Sequence, residues 1–333
     1  MASELDLPRH PQMDLRRCGF SGLHVSAIAV GMPCNIHNKS EFGYQRAMVH
    51  RALDLGITHF DFPASWSGRI GVPGKQTQGT LASLRQHRDD VVLAAHIGFG
   101  ARRRRSVGFG SRKDLVSALN VILRGLSLDY VDILYSDRYD PNTPLEETME
   151  ALSSAVTQGK ALYVGLSGYA PAMARRAIEI LYKLGNPPIV CQAPFSMVNP
   201  WAEDALLDIL DSYSVSFVAD NPLASGALDA STQLSGNHRH SQWASQSGLG
   251  SAAEVLAMIA DTRSQNISQL ALSWVLRNRR VSSAIITPET PRQLDDLSAS
   301  AAHTSFTAGE LEAINELITA TYQGHPRLLH RKF

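Results

Sequence analysis

The sequence predicts an α/β fold, a closed (β/α)8 barrel preceded by a small β-hairpin. Eight short apolar runs rich in Val, Ile and Ala are each followed by a stretch with helical periodicity. Continuous apolar strands that alternate with helices are typical of a parallel sheet that is buried on both faces. Eight such units in roughly 300 residues favour a closed barrel over an open sheet.

The elements follow one another in a regular order. Residues 13–26 form the expected hairpin, with Gly19 and Gly22 in its turn. The eight predicted strands then cover residues 28–31, 58–61, 91–96, 130–136, 161–167, 189–195, 216–220 and 283–287. We expect a flexible N-terminus over residues 1–12, the barrel over residues 13–322 and a C-terminal tail over residues 323–333.

Several helices have recognisable first residues. Pro144, followed by two glutamates, is typical of a helix start, because carboxylates favour the positive helix N-terminus. Ser268 is predicted to begin a helix whose segment 270–276 is apolar nearly all round and therefore buried. Thr307 with Glu310 is a capping box before a last amphipathic helix.

Composition excludes several classes of protein. The chain is 44% hydrophobic and 19% charged with zero formal net charge, which argues against disorder and against a nucleic-acid or membrane-surface partner. Cys18, Cys34 and Cys191 lack metal-ligand spacing and indicate a reducing compartment. The first twelve residues are polar and contain two prolines, and no apolar run is long enough to span a membrane. These features predict a soluble, cytoplasmic protein.

Two long loops follow strands and would lie at the C-terminal face of the barrel, where active sites sit. Residues 98–111 include the run from Arg102 to Arg105, which is either a solvated loop or a device that captures an anionic substrate. Residues 229–250 are rich in Ser, Gly, Gln and His and are interpreted as a mobile lid or a disordered insert.

Five segments carry a family resemblance. They are residues 54–61 (DLGITHFD), 128–147 (LDYVDILYSDRYDPNTPLEE), 159–167 (GKALYVGLS), 222–226 (PLASG) and 270–276 (LALSWVL). Together they resemble the aldo-keto reductases, in the branch of bacterial glyceraldehyde-3-phosphate reductases and potassium channel β-subunits. The resemblance implies a TIM barrel of aldo-keto reductase type over nearly the whole chain, and it leaves a homo-oligomer open.

The resemblance also implies a set of catalytic positions. In the family, hydride passes from NADPH to a carbonyl, a tyrosine donates the proton, a lysine paired to an aspartate activates it, and a histidine or asparagine orients the carbonyl. The aspartate is matched by Asp61. The tyrosine position holds Trp66, the lysine position His96 and the histidine position Asp137, so the tetrad is degenerate.

The positions that would hold the 2′-phosphate of NADPH also differ from the family pattern. Pro288 has no N–H to offer a phosphate, and Glu289 would repel one. Arg292 lies two residues from the usual place of the family's cation. These substitutions argue against an intact phosphate clamp.

The nicotinamide positions are partly retained. The aromatic residue that stacks on the nicotinamide is replaced by Asp220 and Asn221, whereas Gln192 and Ser167 match the family. From these positions we expect no cofactor. If one binds, Ser167, Gln192 and Arg292 are the residues expected to hold it.

Three chemistries remain open for the barrel mouth. An Asp61–His96 dyad with Asp137 suits acid–base catalysis near neutral pH, and we expect cofactor-independent dehydration, isomerisation, cyclisation or C–C cleavage of a small carbonyl or hydroxyl metabolite. The first alternative is an NADPH-dependent reductase with a rearranged site. The second is a non-catalytic binding or regulatory subunit with an inert pocket. The same three residues are suitable metal ligands, but no metal is expected.

The expected substrate pocket draws on several further side chains. His59 is expected to point away from the side occupied by Asp61. The residues expected to line the pocket are Trp66, His37, Arg138, Gln192, Phe195, Asp220 and Asn221.

Overall fold

The computed structural model describes residues 13–32, 39–64, 84–99, 108–230 and 249–324. Within them, eight strands pair in parallel around a closed barrel, each with its neighbour in the chain and the last with the first. The barrel strands are β3 (Ile28–Gly31), β4 (His59–Phe62), β5 (Val92–Gly98), β6 (Val131–Asp137), β7 (Ala161–Ser167), β8 (Val190–Pro194), β9 (Ser216–Asp220) and β10 (Val281–Ile286). The predicted fold class is confirmed.

The N-terminal hairpin closes one end of the barrel. Strands β1 (Leu15–Arg17) and β2 (His24–Ser26) pair antiparallel, and the N–H of Gly19 donates to Ser216 Oγ at 2.6 Å, at the start of β9. Cys18 and Val25 are fully buried against side chains of the barrel interior. The hairpin therefore forms a floor at the N-terminal ends of the strands.

Helices cover the outside of the barrel. Those that the structure describes are α1 (Lys39–Asp54), α2 (Arg112–Leu126), α3 (Leu145–Thr157), α4 (Pro171–Lys183), α5 (Leu206–Ser212), α6 (Leu249–Thr262), α7 (Ile267–Leu276), α8 (Pro291–Ser298) and α9 (Ala308–Gly324). Short 3-10 turns cover Trp201–Glu203, Ala224–Gly226 and Ala299–Ala302. In the described part of the chain, no helix has the length and apolar character needed to cross a membrane.

The helix starts test the sequence patterns. The box of Thr307 and Glu310 is confirmed, because each backbone N–H donates to the side chain of the other residue. The N-cap of α7 is Asn266, whose side chain accepts from the N–H of Gln269. In return, the Gln269 side chain accepts from the N–H of Asn266. The start expected at Ser268 is therefore two residues late. Ser268 Oγ instead accepts from the N–H of Ala230.

Strand alternation divides the core into two layers, because successive side chains of a strand point to opposite faces. One layer lies between strands and helices and contains Phe60, Phe62 and Leu134. The other fills the barrel and contains Ala94 and Tyr135. Side chains at every second strand position therefore line the barrel interior up to its C-terminal mouth.

Candidate active site

Six polar side chains lie at the C-terminal ends of barrel strands and form what we call the mouth cluster. They are Asp61, His96, Asp137, Ser167, Gln192 and Asp220. Backbone hydrogen bonds of 2.8–3.0 Å join neighbouring chain segments where the strands end. The N–H groups of Met32, Phe99, Arg138, Gly168 and Phe195 donate, respectively, to the carbonyl oxygens of Asp61, Asp137, Ser167, Gln192 and Asp220. The backbone beneath five of the six side chains is thereby fixed.

The centre of the cluster is a hydrogen-bonded His96–Asp61 pair. His96 Nε2 lies 3.0 Å from Asp61 Oδ2, and each side chain is about one-twentieth exposed. Burial disfavours the charged imidazolium, but the charge and hydrogen bond of Asp61 outweigh it, and Asp137 and Asp220 add to the effect. The pKa of His96 rises from 6.5 to about 9. The imidazole is therefore protonated at neutral pH.

Tyr135 supports His96 from below. The two rings stack with centroids 4.5 Å apart and an angle of 17° between their planes. A Cβ added at Gly165 would lie 2.5 Å from the Tyr135 ring, so glycine is needed there. The phenol oxygen is buried without a hydrogen-bond partner among the described residues, and burial raises its pKa well above 10. Tyr135 was missed in the sequence, although it precedes Asp137 by two residues and so shares its face.

Asp137 faces the same pocket from β6. Its pKa is raised, chiefly by burial, while His96 and Arg138 oppose the rise. Ser167 Oγ lies 3.5 Å from Asp137 Oδ1, at the limit of a hydrogen bond. Arg138 adopts a φ of 65°, and its guanidinium carbon lies 4.2 Å from the centre of the Phe99 ring. The predicted pocket residue Arg138 is thus held on the rim.

Asp220 brings a third carboxylate to the pocket from β9. Burial and then repulsion by Asp61 raise its pKa to about 6, although His96 opposes the rise. The chain turns at Asn221, which has a φ of 55°. The Asn221 side chain accepts from the N–H of Ser225 at 2.6 Å and is exposed. Asn221 therefore shapes the turn, and Asp220 is the residue of the pair that faces the cluster.

His59 lies in the barrel beneath Asp61, so the expectation that it points away is wrong. The two residues are separated by one position on β4 and share a face. His59 Nδ1 lies 3.3 Å from Ser283 Oγ, and its Nε2 has no partner among the described residues. Burial lowers its pKa to about 4; Asp61 opposes this and His96 adds to it. His59 is therefore neutral.

One other predicted pocket residue, Phe195, lies away from the mouth cluster. Phe195 is 1% exposed and packs on Phe217 and Trp274 in the layer between strands and helices. It does not form the expected pocket wall, because it follows β8 on the outward face. His37, Trp66, the run Arg102–Arg105 and most of the 229–250 loop lie outside the described residues. Among the described residues, no three His, Cys, Asp or Glu side chains are grouped to hold a metal.

Gln192 tests whether the nicotinamide end of NADPH fits this mouth. Gln192 is 5% exposed, and its Oε1 is buried without a hydrogen-bond partner among the described residues. An unpaired buried acceptor destabilises a protein by roughly 1–3 kcal/mol, so a ligand that donates a hydrogen bond there is favoured. The carboxamide of nicotinamide is such a donor. The residues present therefore fit this end of the cofactor.

The 2′-phosphate end is less well equipped. The N–H of Glu289 donates to Gln293 Oε1 over 2.7 Å, and Thr290 caps α8 by accepting from the N–H of Gln293. These local bonds, together with the missing N–H of Pro288, leave few backbone donors for a phosphate. Arg292, exposed in the first turn of α8, is the cation available at this position.

Comparisons with known proteins agree on one family. The family model described as "Aldo/keto reductase family" matches residues 28–319. L-glyceraldehyde 3-phosphate reductase of Escherichia coli (strain K12) is 34% identical over 93% of this chain and 94% of its own length. A probable voltage-gated potassium channel subunit beta of Oryza sativa subsp. japonica is 28% identical over 82% of this chain and 86% of its own.

These matches correct two expectations. The expectation that no cofactor binds is wrong, because the matched family is the one whose chemistry, by the resemblance above, is hydride transfer from NADPH. The named relatives give no support to a lyase, isomerase or cyclase that works without a cofactor. They agree better with the reductase alternative. The branch that the sequence resembles is confirmed.

Proposed function

Because the chain belongs to the aldo/keto reductase family, we propose that it is an NADPH-dependent reductase of small carbonyl compounds whose proton donor is His96. The observation that carries this proposal is the buried His96–Asp61 pair at the barrel mouth. Position 66 holds a tryptophan where the resemblance implies the donor tyrosine. An indole N–H is far too weak an acid for that task, so the proton must come from another group.

His96 has the properties of a general acid. Reduction converts the carbonyl oxygen to an alkoxide, which must gain a proton to become the alcohol. His96 is charged at neutral pH, and a donor whose pKa lies within a few units of the working pH transfers a proton efficiently. Asp61 engages Nε2, which leaves Nδ1 to deliver the proton, and the carboxylate stabilises the imidazolium until then.

Two groups of described residues would hold the cofactor, one at its nicotinamide end and one at its 2′-phosphate end. Gln192 Oε1 would accept from the carboxamide N–H, with Ser167 on the neighbouring strand beside it. Arg292 would pair with the 2′-phosphate at the start of α8. When bound, NADPH supplies the hydride. Tyr135 holds the His96 ring in its plane from the side of the barrel interior.

The direct test combines cofactor binding with turnover. We expect NADPH to quench tryptophan fluorescence at micromolar concentration, and we expect small aldehydes to accelerate loss of the reduced-cofactor absorbance. His96→Gln should lower kcat by about 100-fold or more, the range of general acid catalysis, while NADPH still binds. The matched control is His24→Gln, an exposed histidine of the floor hairpin.

Two results would refute the proposal. One is the absence of NADPH binding at millimolar concentration. The other is tight binding with no turnover of any aldehyde or ketone, which would support the non-catalytic subunit instead. Full activity of His96→Gln would leave a reductase but remove His96 as its proton donor.

A further inference from the structure

The mouth cluster carries an excess of negative charge. Among the described residues, three carboxylates, from Asp61, Asp137 and Asp220, lie at strand ends close enough to the His96 imidazolium to raise its pKa. Only Asp61 is paired with it. Among the described residues, neither Asp137 nor Asp220 takes part in an ion pair, and both residues are partly exposed. Two carboxylates therefore remain available to whatever enters.

The described cations do not cancel this charge. Besides His96, Arg138 is a cation that lowers the pKa of Asp137, and its guanidinium is held on the Phe99 ring. Even when Arg138 and His96 are both counted, carboxylates outnumber cations by three to two. Arg292 lies beyond β10, in the first turn of α8. Among the described residues, an anionic group near His96 would therefore face more carboxylates than cations.

The surroundings of Asp220 support the same view. Burial and the charge of Asp61 raise its pKa to about 6, so another negative charge is already unfavourable at this point of the rim. Ionised carboxylates accept hydrogen bonds and donate none. Hydroxyl and ammonium groups are the partners that such acceptors stabilise, whereas phosphate and carboxylate groups have no donor to offer.

We propose that Asp137 and Asp220 are specificity-determining residues that select an aldehyde bearing hydroxyl or ammonium groups and exclude phosphorylated and carboxylated aldehydes. This inference rests on the proposed reductase activity. It separates the chain from the relative whose name specifies a phosphorylated substrate. It also runs against the anionic substrate that the run Arg102–Arg105 suggested in the sequence.

The test uses three-carbon aldehydes that differ in one group. The probes are 3-hydroxypropanal, 3-aminopropanal and malonic semialdehyde, with glyceraldehyde and its 3-phosphate as a second pair. We expect kcat/KM at about pH 8 to be at least tenfold higher for the hydroxyl and ammonium compounds than for the anionic ones, the discrimination expected for one unfavourable charge contact. In cofactor-free protein, the NMR signal of His96 should shift with the first group of compounds and not with the second.

Variants assign the selectivity to the two carboxylates. In Asp137→Asn and Asp220→Asn, the ratio of kcat/KM for the anionic compound to that for its neutral counterpart should rise several-fold, and further in the double variant. Because the comparison is a ratio, a loss of activity that affects both substrates equally cancels. The matched control is Asp129→Asn, which changes the net charge equally from an exposed position before β6, and there the ratio should stay constant.

The outcomes separate the two claims. If an anionic aldehyde is reduced as well as its neutral counterpart, or if the ratio is unmoved in the double variant, the substrate class is overturned and the reductase stands. If none of the compounds oxidises NADPH, the proposed function falls and the inference falls with it.

Discussion

Replacing Asp61 by asparagine tests the electrostatic link that sets the charge of His96. Asparagine keeps the size and a hydrogen-bond acceptor but removes the carboxylate that counters burial. We expect the pKa of His96 to fall from about 9 to 6.5 or below, even though Asp137 and Asp220 still face it and neutral His59 and Tyr135 pack beneath. At about pH 8, the protonated fraction would then fall roughly thirtyfold.

Two assays read this change. The His96 Cε1–H signal should titrate at the lower pH in Asp61→Asn, and the alkaline limb of the kcat/KM profile should move with it. Asp132→Asn is the matched control, because Asp132 is a buried carboxylate that pairs with Arg88 at 2.8 Å elsewhere in the barrel. It should lose stability and leave the titration of His96 in place. An unchanged His96 titration in Asp61→Asn would refute the reasoning.

The same pair makes folding stability depend on pH. The folded pKa of His96, about 9, exceeds the ordinary value of 6.5. Its contribution is therefore complete below pH 6.5 and is lost as the pH rises through about 9. A shift of this size corresponds to about 3 kcal/mol of unfolding free energy. Urea unfolding at a series of pH values across this range should show the fall in unfolding free energy in the wild type. In Asp61→Asn, the unfolding free energy should depend much less on pH.

Further predictions concern the barrel interior and one helix cap. Gly165→Ala should lower the unfolding free energy by about 1–3 kcal/mol, because its methyl group would press on the Tyr135 ring; Gly309→Ala, whose methyl group meets nothing within 4 Å, should be neutral or stabilising in the same urea titration. Because the folded pKa of His59 is about 4, the wild type should lose up to about 3 kcal/mol of unfolding free energy as the pH falls from 6.5 towards 4. Urea unfolding of His59→Leu should not show this loss. A variant that stays equally acid-labile would contradict this origin. Asn266→Ala should lower the melting temperature through loss of about 1 kcal/mol from the capping box, and an unchanged value would show that the cap is dispensable.

Most of the fold was predictable because strands buried on both faces have a distinctive composition. Three of the predicted strands, including the one ending at Ser167, have the same bounds in the structure, and the others shift by one or two residues. Boundaries were weaker where two caps compete, as at Asn266 and Ser268. An asparagine and a serine are both good N-caps, and the choice depends on the contact that Ser268 makes with the distant Ala230.

The site residues were predictable where the ends of the strands determine their positions. They were less predictable where the answer depends on which face of a strand a side chain occupies, or on how a ligand fits. The His96–Asp61 contact follows from adjacent strands in a barrel. Phe195 was misplaced because an aromatic residue just past a strand suits either face. Tyr135 was overlooked because an apolar run hides which of its members point inward. The expectation of no cofactor gave more weight to the replaced residues than to the retained ones. That the buried Gln192 Oε1 has no hydrogen-bond partner among the described residues is visible only in the structure.

The hairpin floor restricts the direction from which His96 can be reached. Because the hairpin with Cys18 and Val25 covers one end of the barrel and side chains fill its interior, a ligand that contacts His96 approaches it from the end where the strands finish.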